Sequence, residues 1–110
     1  MANLNVQALM VYVTASNVEE ARMVGEHLVN QRLVACVNVI ESIQSLFWWQ
    51  GAVQSENESA FIAKTVPDKM DEVIAAVREK HSYDVPCIVA LPIMAGDPEF
   101  LQWIFEETMA

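Results

Sequence analysis

The sequence has few of the residues that divide a chain into separate parts. Only three glycines occur among its 110 residues. There is no low-complexity tract, no Ser/Gly-rich linker and no internal repeat at the period of a solenoid. A chain of this length buries about 60–70% of its unfolded surface and therefore folds without disulfide or metal support. We expect a single domain over residues 1–110.

Positive charge is also scarce. Six basic residues face fifteen acidic ones, which gives a net charge of −9. A field of this sign repels phosphate backbones and anionic membrane surfaces, so nucleic acid and membrane are not expected partners. The N-terminal stretch "MANLNVQALMVYVTAS" has no Lys or Arg before its apolar run, and that run is far shorter than the ~20 residues of a membrane span. These features predict that the chain has neither a signal peptide nor a membrane anchor. They therefore predict a cytoplasmic location.

Only two cysteines and two histidines are present, and their spacing matches no zinc motif. Cys36, Cys87, His27 and His81 show neither C-x2-C nor H-x3-H spacing, which argues against a closed zinc site within one chain. Each cysteine lies in an apolar run, where its thiol is either a packed small side chain or a soft copper ligand. His81 ends a predicted helix, where the helix dipole favours it, or it is a metal or anion ligand next to Asp84.

Sequence motifs of common catalytic sites are missing. The chain has no G-x-x-x-x-G-K-[ST], G-x-G-x-x-G, G-x-S-x-G or H-E-x-x-H segment. No set of nucleophile, base and orienting group can be assembled from what remains. The sequence therefore predicts a protein that is not an enzyme.

What the chain does contain is alternating strand and helix periodicity. The predicted elements are a strand over 6–14, a helix over 17–31, a hairpin of strands over 34–49 and 52–66 with its turn at Gly51, a helix over 67–80, a buried strand within 87–94, and a C-terminal helix that packs through Leu101, Ile104 and Phe105. Ser16 and Glu19 have capping-box spacing for the first helix, and Asp68 is the expected N-cap of the second. Asp97 and Pro98 are the expected N-cap and first residue of the last helix.

This order, βαββαβ plus a final helix, predicts an α+β fold. Right-handed crossovers place both main helices on one face of a four-stranded antiparallel sheet, the split βαβ or ferredoxin-like plan. Apolar residues make up 54% of the chain, and Trp48 and Trp49 lie on the long β2–β3 hairpin with no predicted cover. We therefore expect other subunits to cover the second face, in a closed cyclic oligomer that also hides the sheet edges.

Five segments carry a family resemblance. They are "ACVNV" (35–39), "SLFWWQG" (45–51), "AKT" (63–65), "HSYDVPCIVALPI" (81–93) and "FLQWI" (100–104). In order and spacing they resemble the CutA family of divalent-cation tolerance proteins, over nearly the whole chain. The resemblance implies a ferredoxin-like subunit in a tight homotrimer, with long hairpins that wrap neighbouring subunits and with clefts between subunits like those of PII signalling proteins. It also implies a role in tolerance of copper and other divalent cations, without a settled enzymatic activity.

The segment from His81 to Cys87 departs from the family pattern. Members usually read His-Pro-Tyr-Glu-Val-Pro-Glu there, so an acidic position has become Cys87, which favours a softer metal. Proposed copper ligands of some members fall at Val13 and Lys80 here, and only His81 of that set remains. The resemblance thus gives His81, Cys87 and Cys36 as candidate metal ligands. No cofactor is required, and copper or another divalent cation is the candidate ligand.

Two other functions remain open at this point. By analogy with PII proteins, Lys64, Trp49 and Tyr83 would line the clefts between subunits and bind a small anionic metabolite. Alternatively, the protein is a purely structural interaction module.

Overall fold

The computed structural model describes residues 7–109. Its elements are β1 (Leu9–Ala15), α1 (Val18–Asn30), β2 (Cys36–Trp49), β3 (Ala52–Thr65), α2 (Met70–Lys80), β4 (Ile88–Pro92) and α3 (Pro98–Met109), with a short 3-10 turn (Pro67–Lys69) before α2. The predicted βαββαβ order with a C-terminal helix is confirmed. Val6, the predicted first residue of strand one, lies outside the described residues. No helix within residues 7–109 is both long and apolar enough to span a membrane.

The four strands form one antiparallel sheet in the order β2-β3-β1-β4. β1 lies in the middle, and Val11 pairs with Ala63 on one side and with Ala90 on the other. β4 lies at an edge, which explains how it accommodates Pro92, a residue with no backbone N–H to donate.

One face of the sheet carries both main helices and the hydrophobic core. The fully buried core residues are Val11, Val13, Ala15, Ala21, Val24, Leu28, Phe61, Ala63, Val73 and Val77. They come from β1, β3, α1 and α2, so the predicted packing of both helices on one face is confirmed. Helix α1 approaches β2 closely at Gly25, where a Cβ atom would lie 2.8 Å from Val37 Cγ1.

The opposite face of the sheet, here called the open face, carries neither α1 nor α2. Its residues, placed by the strand register, are Met10, Tyr12, Thr14, Cys36, Asn38, Ile40, Ala60, Ile62, Lys64, Val89 and Leu91. Val89 and Leu91 are 48% and 52% exposed. The prediction of a buried last strand is therefore wrong for the single chain, because every residue of this edge strand after Ile88 is exposed, including Ala90 on the helix side.

A β-bulge divides the long hairpin. Glu41 and Ser42 together lie opposite Ser59, and the register shifts between Ile40 and Ile43. Beyond the bulge, residues 43–58 continue as a two-stranded arm. The arm turns at Gln50 and Gly51, whose φ angles of 52° and 81° are those of a type I′ turn. The predicted hairpin is confirmed.

The helix caps differ in part from the predicted ones. Asn17, not Ser16, caps α1, since its Oδ1 accepts the Glu20 N–H at 2.8 Å. Asp68 caps no helix, because the chain first makes the 3-10 turn there. Asp97 does cap α3, and its Oδ2 accepts the Phe100 N–H at 3.0 Å.

The C-terminal helix packs less broadly than predicted. Ile104 is buried against Ala8 and Val66, and Thr108 is buried one turn further on. Phe105, predicted to pack with Ile104, is instead 47% exposed, because the buried stripe of α3 follows the i, i+4 spacing from 104 to 108.

Candidate functional site

The segment between α2 and β4, residues 81–87 (the α2–β4 loop), is held by an ordered set of hydrogen bonds. The His81 side chain has no exposed surface. Its Nε2 lies 2.7 Å from the Thr14 carbonyl oxygen, and its Nδ1 accepts the Tyr83 N–H at 3.0 Å. A carbonyl oxygen only accepts, so the proton is on Nε2 and the ring is neutral in this arrangement. Both nitrogens of the predicted metal ligand are therefore already in use.

Glu20 of α1 ties the helix N-terminus to the α2–β4 loop. Its carboxylate accepts the Ser16 N–H and hydroxyl at 2.9 Å each, and the Ser82 N–H at 2.8 Å. Burial raises the pKa of this carboxyl, but the hydrogen bonds from Ser16 and Ser82 outweigh burial and lower the pKa to about 2. The group is thus an anion throughout the physiological range.

Tyr83 and Glu58 link the same loop to β3. The Tyr83 hydroxyl donates to Glu58 Oε2 at 2.5 Å, and Glu58 is only 9% exposed. Burial, followed by the hydrogen bond and the negative charge of Glu58, raises the pKa of Tyr83 well above its usual value. The phenol therefore stays protonated and serves as a donor.

Neither Glu20 nor Glu58 was selected from the sequence. Glu20 lies three residues after Asn17, so shifting the capping-box prediction by one residue would have found it. Glu58 carries no comparable signal, because alternating polar residues on an exposed hairpin look the same whether or not a tyrosine covers one of them.

The three predicted metal ligands do not meet within one chain. Cys36 is half-buried on the open face opposite Lys64, whereas Cys87 is exposed just before β4, whose Ile88 pairs with Val13. Across the sheet, the cysteines are three strand spacings apart, from β2 to β4. Along the strand direction, Cys87 lies four residues before Leu91, which is level with Cys36. Together these separations correspond to roughly 20 Å. Within residues 7–109, no group of three or more His, Cys, Asp or Glu side chains is arranged to hold a metal ion.

The three predicted cleft residues are also far apart within one chain. Lys64 Nζ donates to Asn38 Oδ1 at 2.5 Å, and the Tyr83 phenol is bonded to Glu58. Trp49 is 59% exposed and is the last residue of β2, whereas Lys64 pairs with Cys36, the first residue of that strand. The length of the 14-residue strand therefore separates Trp49 from Lys64, which is roughly 40 Å. A cleft that contains all three requires more than one subunit.

Comparison with known sequences gives consistent matches. The family described as CutA1 divalent ion tolerance protein matches residues 9–107. The divalent-cation tolerance protein CutA of Archaeoglobus fulgidus is 45% identical over 96 residues, which cover 87% of this chain and 93% of that protein. Protein CutA 1, chloroplastic, of Oryza sativa subsp. japonica is 37% identical over 103 residues. Those residues are 94% of this chain but only 58% of the rice protein, so the chain spans little more than half of that relative.

A solved structure matches as well. The periplasmic divalent cation tolerance protein CutA from Archaeoglobus fulgidus superimposes with a TM-score of 0.89 at 42% identity, covering 92% of this chain and 98% of that one. The α+β architecture with its long β2–β3 hairpin is therefore that of the CutA structures. The chain belongs to the CutA1 divalent ion tolerance protein family.

Proposed function

We propose that this protein acts in tolerance of divalent cations as a homotrimer of single-domain subunits, through metal binding or regulation and not through catalysis. Family membership supports the cation role. The observation that carries the assembly is the open face, where apolar side chains of all four strands lie uncovered or half covered in the single chain.

The arm supports the same proposal. Leu46, Trp48, Trp49 and Val53 are each at least 58% exposed, and they lie on both faces of a two-stranded ribbon. An isolated ribbon of this kind is marginally stable and prone to association. In a closed ring of three subunits, neighbouring chains would cover the arms and the exposed edges of β2 and β4.

Metal binding is proposed at the thiols, with copper as the expected ion. Cys36 is half-buried and Cys87 is exposed, and soft thiolate ligands select copper(I). His81 would join such a site only by releasing Thr14 or Tyr83 from its ring nitrogens. Because the two cysteines are far apart in one chain, a shared ion would have to lie between subunits. A cytoplasmic location stays a prediction, since relatives carry the names chloroplastic and periplasmic.

Calorimetric titration of copper(I) and copper(II) tests the metal proposal. The proteins compared are wild type, Cys36→Ala, Cys87→Ala and His81→Ala, with His27→Ala as the control from the outer surface of α1. We expect each cysteine variant to weaken copper(I) binding at least about tenfold and the control to leave it unchanged. Titrations that are identical for wild type and both cysteine variants would remove the thiols from the site.

A further inference from the structure

Lys64 is a cation in unusual surroundings. It lies half-buried on the open face, where its strand neighbours across the sheet are Cys36 and Met10. Its ammonium donates to the side chain of Asn38, a neutral acceptor, at 2.5 Å. Two of the three ammonium protons are therefore left for other partners.

Lys64 has no carboxylate beside it in the part of the chain that the structure describes. The open-face positions of the four strands between the bulge and the sheet ends carry no Asp or Glu. Among the described residues 7–109, no carboxylate lies within 4.0 Å of Lys64 Nζ. Glu58, the first carboxylate along β3, is six residues away, about 20 Å, and is already bonded to Tyr83.

Covering the open face would remove Lys64 from water. An ammonium that is desolvated without an opposite charge costs several kcal/mol, so buried charges in proteins are paired. We infer that in the assembled protein Lys64 forms an ion pair with a carboxylate supplied by a second copy of the chain. This inference rests on the proposed trimer and adds to it the polar contact that orients one subunit on another.

A second copy is the occupant that the charges favour. Each chain carries fifteen acidic residues and a net charge of −9, so the overall charge opposes association and a cation at the contact offsets part of that repulsion. Lys64 supplies such a cation near one end of the open face, whose other residues are mainly apolar, as in the core of a protein–protein interface. Charge complementarity of this kind fixes the register of an interface.

The test uses Lys64→Met, which keeps the apolar stem and removes the charge. Lys80→Met, at the exposed end of α2, is the matched control. Sedimentation velocity over a dilution series measures subunit association, and circular dichroism checks that each variant is folded. If a partner carboxylate exists, Lys64→Met leaves it buried and unpaired, and association weakens at least about tenfold while the control changes less than about twofold.

Other outcomes overturn the inference in distinguishable ways. If no carboxylate faces Lys64, methionine relieves the desolvation of the ammonium, and association is unchanged or tighter. If malonate or citrate raises the melting temperature of wild type but not of Lys64→Met, the anion is a small carboxylate and not a second copy. A monomeric wild type would overturn the proposed trimer itself, whereas a trimer indifferent to Lys64→Met overturns only this ion pair.

Discussion

The two faces of the same sheet are built from neighbouring residues but differ in what they do. On the helix-covered face, Val11, Phe61 and Ala63 have no exposed surface. On the open face, the adjacent Tyr12 and Ile62 are only half-buried although they are also apolar. Successive strand residues point to opposite faces, so an apolar run supplies both faces at once. One face completes the fold of the chain, and the other stays largely uncovered within it.

The largest difference between the faces should appear at Phe61 and Ile62. Phe61→Ala removes a fully buried ring and is expected to lower the free energy of unfolding by about 3–5 kcal/mol. Ile62→Ala removes half-exposed surface and should cost about 1 kcal/mol within one chain. Urea unfolding at several protein concentrations measures both. Any further loss at Ile62 should depend on concentration, because it would come from subunit contacts; equal, concentration-independent losses would contradict the comparison.

Packing on the covered face is tight enough to be tested at Gly25. Alanine is the better helix former, by about 1 kcal/mol, yet its Cβ would lie 2.8 Å from Val37 Cγ1. We expect Gly25→Ala to destabilise the protein by about 1–3 kcal/mol in thermal or urea unfolding. The double variant Gly25→Ala/Val37→Ala is the control and should recover part of the loss. A Gly25→Ala protein more stable than wild type would show that this contact relaxes easily.

The pH dependence of stability should report on Glu20, the carboxylate of α1 that binds the α2–β4 loop through Ser82. The pKa of Glu20 falls from 4.5 to about 2 on folding, so its stabilisation is complete above pH 4.5 and is lost as the pH falls from 4.5 towards 2. Glu20→Gln should lower the free energy of unfolding by about 1–2 kcal/mol at neutral pH and flatten its dependence between pH 4.5 and 2. Glu19→Gln, exposed on the same turn, is the control, and the idea fails if both variants keep the wild-type pH profile.

The smallest effect is expected at the tip of the arm, far from both faces of the four-stranded sheet. Gln50 has a φ of 52°, a conformation that asparagine adopts more readily than glutamine. Gln50→Asn should therefore raise the free energy of unfolding by about 0.5 kcal/mol, measured as a small increase in melting temperature. Gln54→Asn, on β3 of the arm, is the control and should not stabilise. A destabilised Gln50→Asn would mean that the glutamine side chain contributes more than its backbone conformation costs.

The order of the helices and strands could be predicted from the sequence. The helix caps and the burial of individual residues could be predicted only in part. The first helix cap was misplaced by one residue, because Ser16, Asn17, Glu19 and Glu20 offer two overlapping capping patterns. The burial of the last strand was overestimated, since periodicity tells which residues share a face but not whether anything lies over that face.

The site was less predictable than the fold. The sequence singled out His81 as a candidate metal ligand and Tyr83 as a candidate cleft residue, but not their partners Thr14 and Glu58, which come from β1 and β3 and are distant in sequence. Hydrogen-bond partners of this kind depend on long-range strand pairing that no local pattern encodes. The same pairing separated Cys36 from Cys87, which the sequence alone had left as joint candidates.

By itself, the sequence determined the α+β order, the long hairpin with its Gly51 turn, the Asp97 cap and the acidic charge, because these depend on local conformational preference and composition. Only the tertiary structure decided that His81 has both ring nitrogens occupied, that Glu58 is buried under Tyr83, and that Lys64 lies among open-face strand positions, none of which is Asp or Glu. Those properties arise where strands and loops distant in the chain meet, and there burial and geometry set the chemistry of a side chain.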